Sequence, residues 1–424
     1  MKIYLETHGC TANRGDGEIL AGILSREGHL VVRKPEEAEI LLLNTCVVKG
    51  ETRRRMLRRM EELSRTGKPL VVAGCLPLVD LPSVREREPA AVLSCRSLLS
   101  VAEAVERVGR GERGVLLLDG QAPEKICLPK LRSSPVSAIV QIGEGCLSSC
   151  TFCSVRLARG RLRSFSPEGV VEEVRRAVGE GCKEILLTSQ DNAAYGRERG
   201  WDLPSLLRRV VEVEGRFRVR VGMMNPENVL TLLPDLLEAY RNEKIYRFLH
   251  LPLQSGDDGV LRAMGRRYTV EEFLEVVRTF RREFPDLCLV TDVIAGFPTE
   301  TEEGFERTVE VLRELRPDRV NLSRFSPMPG TPASRLPPLP GREVARRSRI
   351  LSSLCSSLSL EANRRYLGWE GEALITEGGW KGGWVARLPN YKLAILGEGR
   401  LGEFVRIRVR GARPTYLVAE EVEG

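Results

Sequence analysis

No stretch of this 424-residue sequence stays apolar for the roughly 20 residues that a membrane-crossing helix needs. The opening MKIYLETHGC lacks a basic segment followed by an apolar one, so it does not read as a secretory leader. Both absences make the cytoplasm the expected compartment and a membrane partner unexpected. Histidine is scarce: His8, His29 and His250 are the whole supply, which leaves little to complete a tetrahedral zinc shell. Glutamine is also rare while 29% of residues are charged, a balance that fits a thermophile, whose intracellular proteins can carry disulfides.

Cysteine is what the chain has in quantity. Eleven cysteines without a leader point to metal or redox chemistry before a disulfide scaffold. The formal charge is +7, and arginine clusters at 53–59 (RRRMLRR) and 156–163 (RLARGRLR). Those clusters suit a polyanionic partner or a solvated helix face, and the charge alone does not choose. The length calls for two or three domains.

Three early runs of strand length, KIYLETHGC, AEILLLNTC and KPLVVAGC, each end on a cysteine: Cys10, Cys46 and Cys75. Helical patterns separate them, so the segment reads as a small parallel α/β sheet. All strands of such a sheet finish at one edge, which gathers the three thiols at one rim. Three thiolates there could hold three irons of a 4Fe–4S cluster and leave the fourth iron open. The competing reading is three small buried hydrophobes at strand ends. Cys95, Cys127, Cys182, Cys288 and Cys355 share no such placement and read as packing residues.

The densest motif is AIVQIGEGCLSSCTFCSVRLARG, which sets Cys146, Cys150 and Cys153 as C-x3-C-x2-C directly after an apolar strand. Three ligands again leave one iron free to chelate a small molecule; zinc or a disulfide pair is the alternative. From this motif onward, six strand-like runs alternate with helical patterns, which predicts an open partial (β/α)6 barrel. Its ligand end should carry Gln190, Asn225, Gln254 and Asp292, each at a strand end and each equally readable as a turn or cap. Arg159 is a candidate partner for a carboxylate or phosphate, because its fork binds two oxygens at once.

A proline-rich and then helical stretch comes next. The last residues are glycine-punctuated with short alternating runs, which predicts a small antiparallel β-barrel. In FVRIRVR, Val405, Ile407 and Val409 share one face and Arg406, Arg408 and Arg410 the other, a wall suited to touching RNA phosphates.

The cysteine triplet, with Phe152 before its last member, resembles the radical S-adenosylmethionine (SAM) superfamily. The three parts in this order resemble its methylthiotransferases across essentially the whole chain. GCTANRGD, NTCVV, GCLSSCTFC, LPLQSG and RFSPMPGTPA carry the likeness, with a tail that resembles a TRAM domain. TSQDNAAYG and VGMMNP resemble the archaeal and eukaryotic branch acting on N6-threonylcarbamoyladenosine beside the anticodon of tRNA.

The resemblance implies domains at 1–115, 138–366 and 367–424, with a linker at 116–137. It implies two 4Fe–4S clusters: a SAM-cleaving one on Cys146, Cys150 and Cys153, and an auxiliary one on Cys10, Cys46 and Cys75. Arg159, Gln190, Asn225, Gln254 and Asp292 would bind the cofactor, although Gln190 stands where the superfamily often has glutamate. A 5′-deoxyadenosyl radical would take hydrogen from C2 of the adenine, and the auxiliary cluster would supply the methylthio group. A reducing electron donor and a tRNA are the implied partners. Action on a ribosomal protein side chain, or an RNA-binding Fe–S scaffold without catalysis, are the alternatives.

Overall fold

Short runs of leucine, isoleucine and valine alternate with amphipathic helices through most of the chain, and each run becomes a parallel strand. The computed structural model describes residues 1–120, 124–379 and 382–422. Part of the expected linker (121–123) and four tail positions (380, 381, 423 and 424) lie outside the described residues.

The first unit is a six-stranded parallel sheet in the order Leu30–Val32, Lys2–Thr7, Ile40–Thr45, Leu70–Gly74, Ala91–Leu93, Val115–Leu117. Ile40–Thr45 and Leu70–Gly74 are buried at every residue, as central strands covered on both faces must be. The three strands expected from the sequence are neighbours at the sheet's centre. The other three are only three residues long, too short to show a period.

Helix Thr11–Arg26 joins this sheet to the second unit. Ile19, Leu20, Ile23 and Leu24 pack on the sheet, while Gly15 approaches Ile139 and Gln141 of the second unit's first strand. At Gly22 an added Cβ would stand 2.3 Å from the Pro129 carbonyl oxygen, so only glycine lets the connecting segment lie this close.

The second unit carries six parallel strands in chain order: Ser137–Gln141, Glu184–Thr188, Arg218–Val221, Phe248–His250, Cys288–Ala295 and Arg319–Arg324. They form two triplets joined by a single parallel bridge, Val219 to Ile245. First and last strands do not pair among the described residues, so the barrel is open on one side. Helix Gly341–Arg364 packs on the last strand beside that opening.

The tail closes into a five-stranded barrel, Glu370–Gly378, Trp384–Arg387, Leu393–Leu396, Leu417–Glu421, Phe404–Ala412 in spatial order. One junction departs from the expected antiparallel pattern: Leu393–Leu396 and Leu417–Glu421 run parallel, and this pairing closes the ring. The tail docks under the open barrel, where the Arg247 N–H donates to the Pro389 carbonyl at 3.0 Å. Beside it Tyr391 meets Tyr246 and Phe248 edge-on, each with ring centres 5.0 Å apart.

Candidate SAM chamber and facing cysteine rim

Cys146, Cys150 and Cys153 come directly after the first barrel strand and line one wall of a cavity of about 240 Å³ at the strands' C-terminal ends. Gln190, Asn225, Gln254 and Asp292 line the same cavity, the first three from just beyond their strands and Asp292 from within Cys288–Ala295 rather than at its end. Four polar groups scattered over a hundred residues thus meet opposite three thiols.

Each is held in place. The Gly145 N–H donates to Gln190 Oε1 at 2.6 Å. Asp191 is buried and accepts from the Asn225 N–H at 2.9 Å and Asn225 Nδ2 at 2.8 Å, so the amide cannot rotate. Gln254 adopts a left-handed backbone with φ of 68°, a conformation glutamine enters only where surroundings impose it. Asp292 Oδ2 lies 2.7 Å from His250 Nε2. Burial pushes the Asp292 carboxyl up, and the His250 contact outweighs it and holds the group below its ordinary range.

Burial raises Cys146 to about 11, with Asp191 adding to the shift, and raises Cys153 to about 12. Both are thiols at neutral pH, so iron must displace their protons to bind. Among the described residues no three Cys, His, Asp or Glu side chains converge on a single metal ion. Three thiols around a cavity, with no fourth cysteine or histidine among the described residues that line it, fit a cluster that keeps one iron for a small molecule.

Arg159, a candidate carboxylate partner, finds its carboxylates inside the protein. It does not line this cavity: Nη2 donates to Asp16 Oδ2 at 2.7 Å and Nη1 to Glu144 Oε1 at 2.8 Å. Buried Lys125 completes the group, donating to Asp16 Oδ1 at 2.9 Å and Glu144 Oε1 at 2.7 Å. Two cations and two carboxylates neutralise one another, which is the condition for burying any of them. Two guanidiniums do line this cavity, that of Arg324 and that of Arg266, which donates to Asn225 Oδ1 at 2.7 Å and has its Nε buried and unpartnered. No spacing in the sequence singles Arg266 out.

The N-terminal rim faces this chamber. Cys10 caps helix Thr11–Arg26, Cys46 comes after Ile40–Thr45 and Cys75 after Leu70–Gly74, three adjacent strands. A contact with the Cys46 thiol and the Arg159 cation favour the Cys10 thiolate, and a contact with Cys95 and the same cation favour that of Cys75. Cys95, expected as a packing residue, is fully buried in the sheet's core just after the next strand, with Sγ 3.4 Å from the Ala158 carbonyl oxygen. Cys182 is core, Cys127 is exposed, and Cys288 and Cys355 border a second cavity.

The segment after Cys46 crosses to the barrel. Val48, Lys49 and Gly50 line the SAM cavity, and the Ser154 hydroxyl, next to Cys153, donates to the Val47 carbonyl at 3.0 Å. One hydrogen bond ties the two cysteine loops together.

On the tail barrel Arg406 is exposed, while Arg408 pairs with Glu370 and Arg410 with Glu420. The arginine face exists, partly neutralised by glutamates from the flanking strands.

The Radical SAM superfamily matches residues 140–312, the Uncharacterized protein family UPF0004 residues 2–94 and the TRAM domain residues 364–422. A Pyrococcus horikoshii protein, "Probable threonylcarbamoyladenosine tRNA methylthiotransferase", is 48% identical over 99% of both chains. The Drosophila melanogaster threonylcarbamoyladenosine tRNA methylthiotransferase is 36% identical over 99% of this chain and 77% of its own. The chain belongs to the threonylcarbamoyladenosine tRNA methylthiotransferase family. Among solved structures, the radical SAM methyltransferase TsrM from Kitasatospora setae superposes with a TM-score of 0.55. It covers 78% of this chain and 75% of its own at 15% identity, which bears on the fold alone. The Radical SAM match covers the open barrel that carries this chamber, and the TRAM match covers the tail barrel. Among the described residues no helix is long and apolar enough to cross a membrane.

Proposed function

We propose that this chain adds a methylthio group to C2 of N6-threonylcarbamoyladenosine in tRNA, using two 4Fe–4S clusters, SAM and an external reductant. The observation that carries it is the Ser154–Val47 bond, which joins the loop of the chamber's cysteine triplet to the loop of Cys46 on the N-terminal rim. When bound, the cluster on Cys146, Cys150 and Cys153 supplies the electron that cleaves SAM, and the one on Cys10, Cys46 and Cys75 supplies sulfur.

The protein's own work is orientation and exclusion. Asn225, locked by Asp191, and Gln190, locked by Gly145, present fixed amide groups to SAM. Arg266 offers a buried cation for a carboxylate, and Gln254 and Asp292 shape the far wall. Val48, Lys49 and Gly50 cover the chamber, which keeps water from a reactive species formed there. Arg406, and Arg408 and Arg410 once phosphates replace their glutamate partners, provide the tRNA contact. A tRNA substrate places the reaction in the cytoplasm.

The test is anaerobic incubation of reconstituted protein with SAM, reductant and either tRNA or ribosomal protein. Release of 5′-deoxyadenosine with a methylthiolated nucleoside supports the reading. Modification of protein alone, or no SAM cleavage, overturns it.

A further inference from the structure

A second cavity, about 580 Å³, opens at the side of the partial barrel. That is within the range of about 300–1,000 Å³ usual for small-molecule sites. It lies directly along the strands from the SAM chamber. Asp292 and Ser323 face the chamber, while Val290 and Asn321, two residues earlier on the same strands, face this cavity. The His250–Asp292 contact stands between the two. Its walls come from every part of the chain: Thr11 beside Cys10, the barrel interior, helix Gly341–Arg364 and the tail barrel.

Its chemistry is cationic. Arg220, Arg319, Arg387 and Lys392 line it against a single acid, Asp318, which Lys392 already neutralises at 2.7 Å. Arg387 is engaged by Glu377 at 3.1 Å, and Arg319 is exposed to solvent. Arg220 differs from these. Its one hydrogen bond is a weak one, Nη2 to Thr11 Oγ1 at 3.3 Å, and its Nε, like that of Arg387, is buried without a partner. Among the described residues no carboxylate pairs with it. The guanidinium instead rests over the Tyr391 ring, 5.8 Å from its centre. A half-buried guanidinium with an unused fork is an uncompensated charge, and the fork matches a carboxylate.

We infer that this lateral cavity receives the modified nucleoside and that Arg220 reads the carboxylate of its threonylcarbamoyl substituent. The inference rests on the proposed substrate and deepens it. A threonylcarbamoyl group ends in the free carboxylate of threonine; an isopentenyl group or a bare amine offers none. Arg220 anchors that end, and Tyr391, Phe248 and Tyr416 offer aromatic faces to a base drawn out of its stack. The hydroxyls of Ser352, Ser356 and Ser359 on helix Gly341–Arg364 edge the opening. Because Thr11 holds Arg220 and adjoins Cys10, the same residue that docks the substituent lies beside the thiols assigned to sulfur delivery. Arg220 is thus a substrate-recognition residue, selecting the substrate by charge at a point removed from the reacting carbon.

The test is a binding cycle on the full, anaerobically reconstituted protein. Dissociation constants are measured for an anticodon stem-loop bearing threonylcarbamoyladenosine and for the same stem-loop with its carboxylate capped as a methylamide. Both are titrated against the wild type, Arg220→Gln and Arg220→Lys. Capping should weaken wild-type binding by on the order of tenfold to a hundredfold, the usual range for a charge-assisted hydrogen bond. It should change Arg220→Gln binding less than about twofold, with Arg220→Lys intermediate, because lysine keeps the charge and loses the fork. Equal loss on capping in wild type and both variants overturns the assignment, as does no loss in any. The parent reading has its own readout: wild type that forms no methylthio product on the uncapped tRNA overturns the substrate, whatever the binding cycle gives.

Discussion

The hydroxyl of Ser154 donates to the carbonyl of Val47 at 3.0 Å, one residue from Cys153 on one side and one from Cys46 on the other. The contact is buried and spans more than a hundred residues of sequence. It fixes the barrel's cysteine loop against the N-terminal rim, while the triplets belong to separate sheets with separate cores. Proximity and independence of the two thiol sets lead to the first two predictions.

Reconstituted protein should hold about eight irons per chain as two 4Fe–4S units. Replacing Cys146, Cys150 and Cys153 together with alanine should remove half of the iron and leave the other half with an intact visible absorption band. Loss of all iron in a variant with an unchanged melting curve would contradict two independent sites.

Replacing Cys10, Cys46 and Cys75 with alanine should leave reductive SAM cleavage measurable and abolish methylthio transfer. None of the three lines the SAM chamber, whose thiols are Cys146, Cys150 and Cys153. Quantifying 5′-deoxyadenosine beside the modified nucleoside checks it. Equal loss of both, with barrel iron retained, would count against the division.

On the tail barrel, Arg406 is exposed and Arg408 and Arg410 are paired. Arg406→Ala should weaken tRNA binding and lower the slope of log affinity against log salt by about one. Arg408→Ala and Arg410→Ala should each change it less, since a phosphate must first displace a glutamate. Titrations at several salt concentrations decide it; three identical slopes equal to that of the wild type would leave the barrel structural.

Stability toward acid should depend on the pair Lys130–Glu173, 2.7 Å apart and almost wholly buried, which binds the connecting segment to helix Pro167–Gly179. Burial pushes the Glu173 carboxyl up, but Lys130 and the Cys127 N–H outweigh it, so it titrates below the ordinary 4.5. A carboxyl held lower in the folded than the unfolded chain contributes stability in full above its unfolded value. That contribution is lost as pH falls below 4.5 toward the folded value. Glu173→Gln should cost about 3 kcal/mol at neutral pH by leaving Lys130 unpaired, and should flatten the acid limb. Urea melts across that window measure it, and parallel limbs in the two proteins would refute it.

Much of this is legible in the amino-acid order alone. Cys10, Cys46 and Cys75 can be placed on one rim because each ends an apolar run, and parallel strands share an edge. Gln190, Asn225 and Gln254 can be placed together because each comes just after a strand of one barrel; Asp292 joins them from inside its strand. The rest depends on where side chains turn once the units dock. Arg159 is six residues from Cys153, yet its fork points to Asp16 of the other domain. Arg266 reaches its place beside Asn225 through a contact with a residue far away in sequence. The glutamates that quench Arg408 and Arg410 lie on neighbouring strands, which alternation within one strand cannot reveal.

The decisive experiment is mass spectrometry of nucleosides from tRNA carrying either threonylcarbamoyladenosine or isopentenyladenosine. Each is incubated anaerobically with the reconstituted protein, reductant and methyl-deuterated SAM. The expected product is a 2-methylthio derivative of the threonylcarbamoyl nucleoside carrying the deuterated methyl, with none from the isopentenyl one. Product from the isopentenyl nucleoside alone, or from neither, would contradict the assigned function.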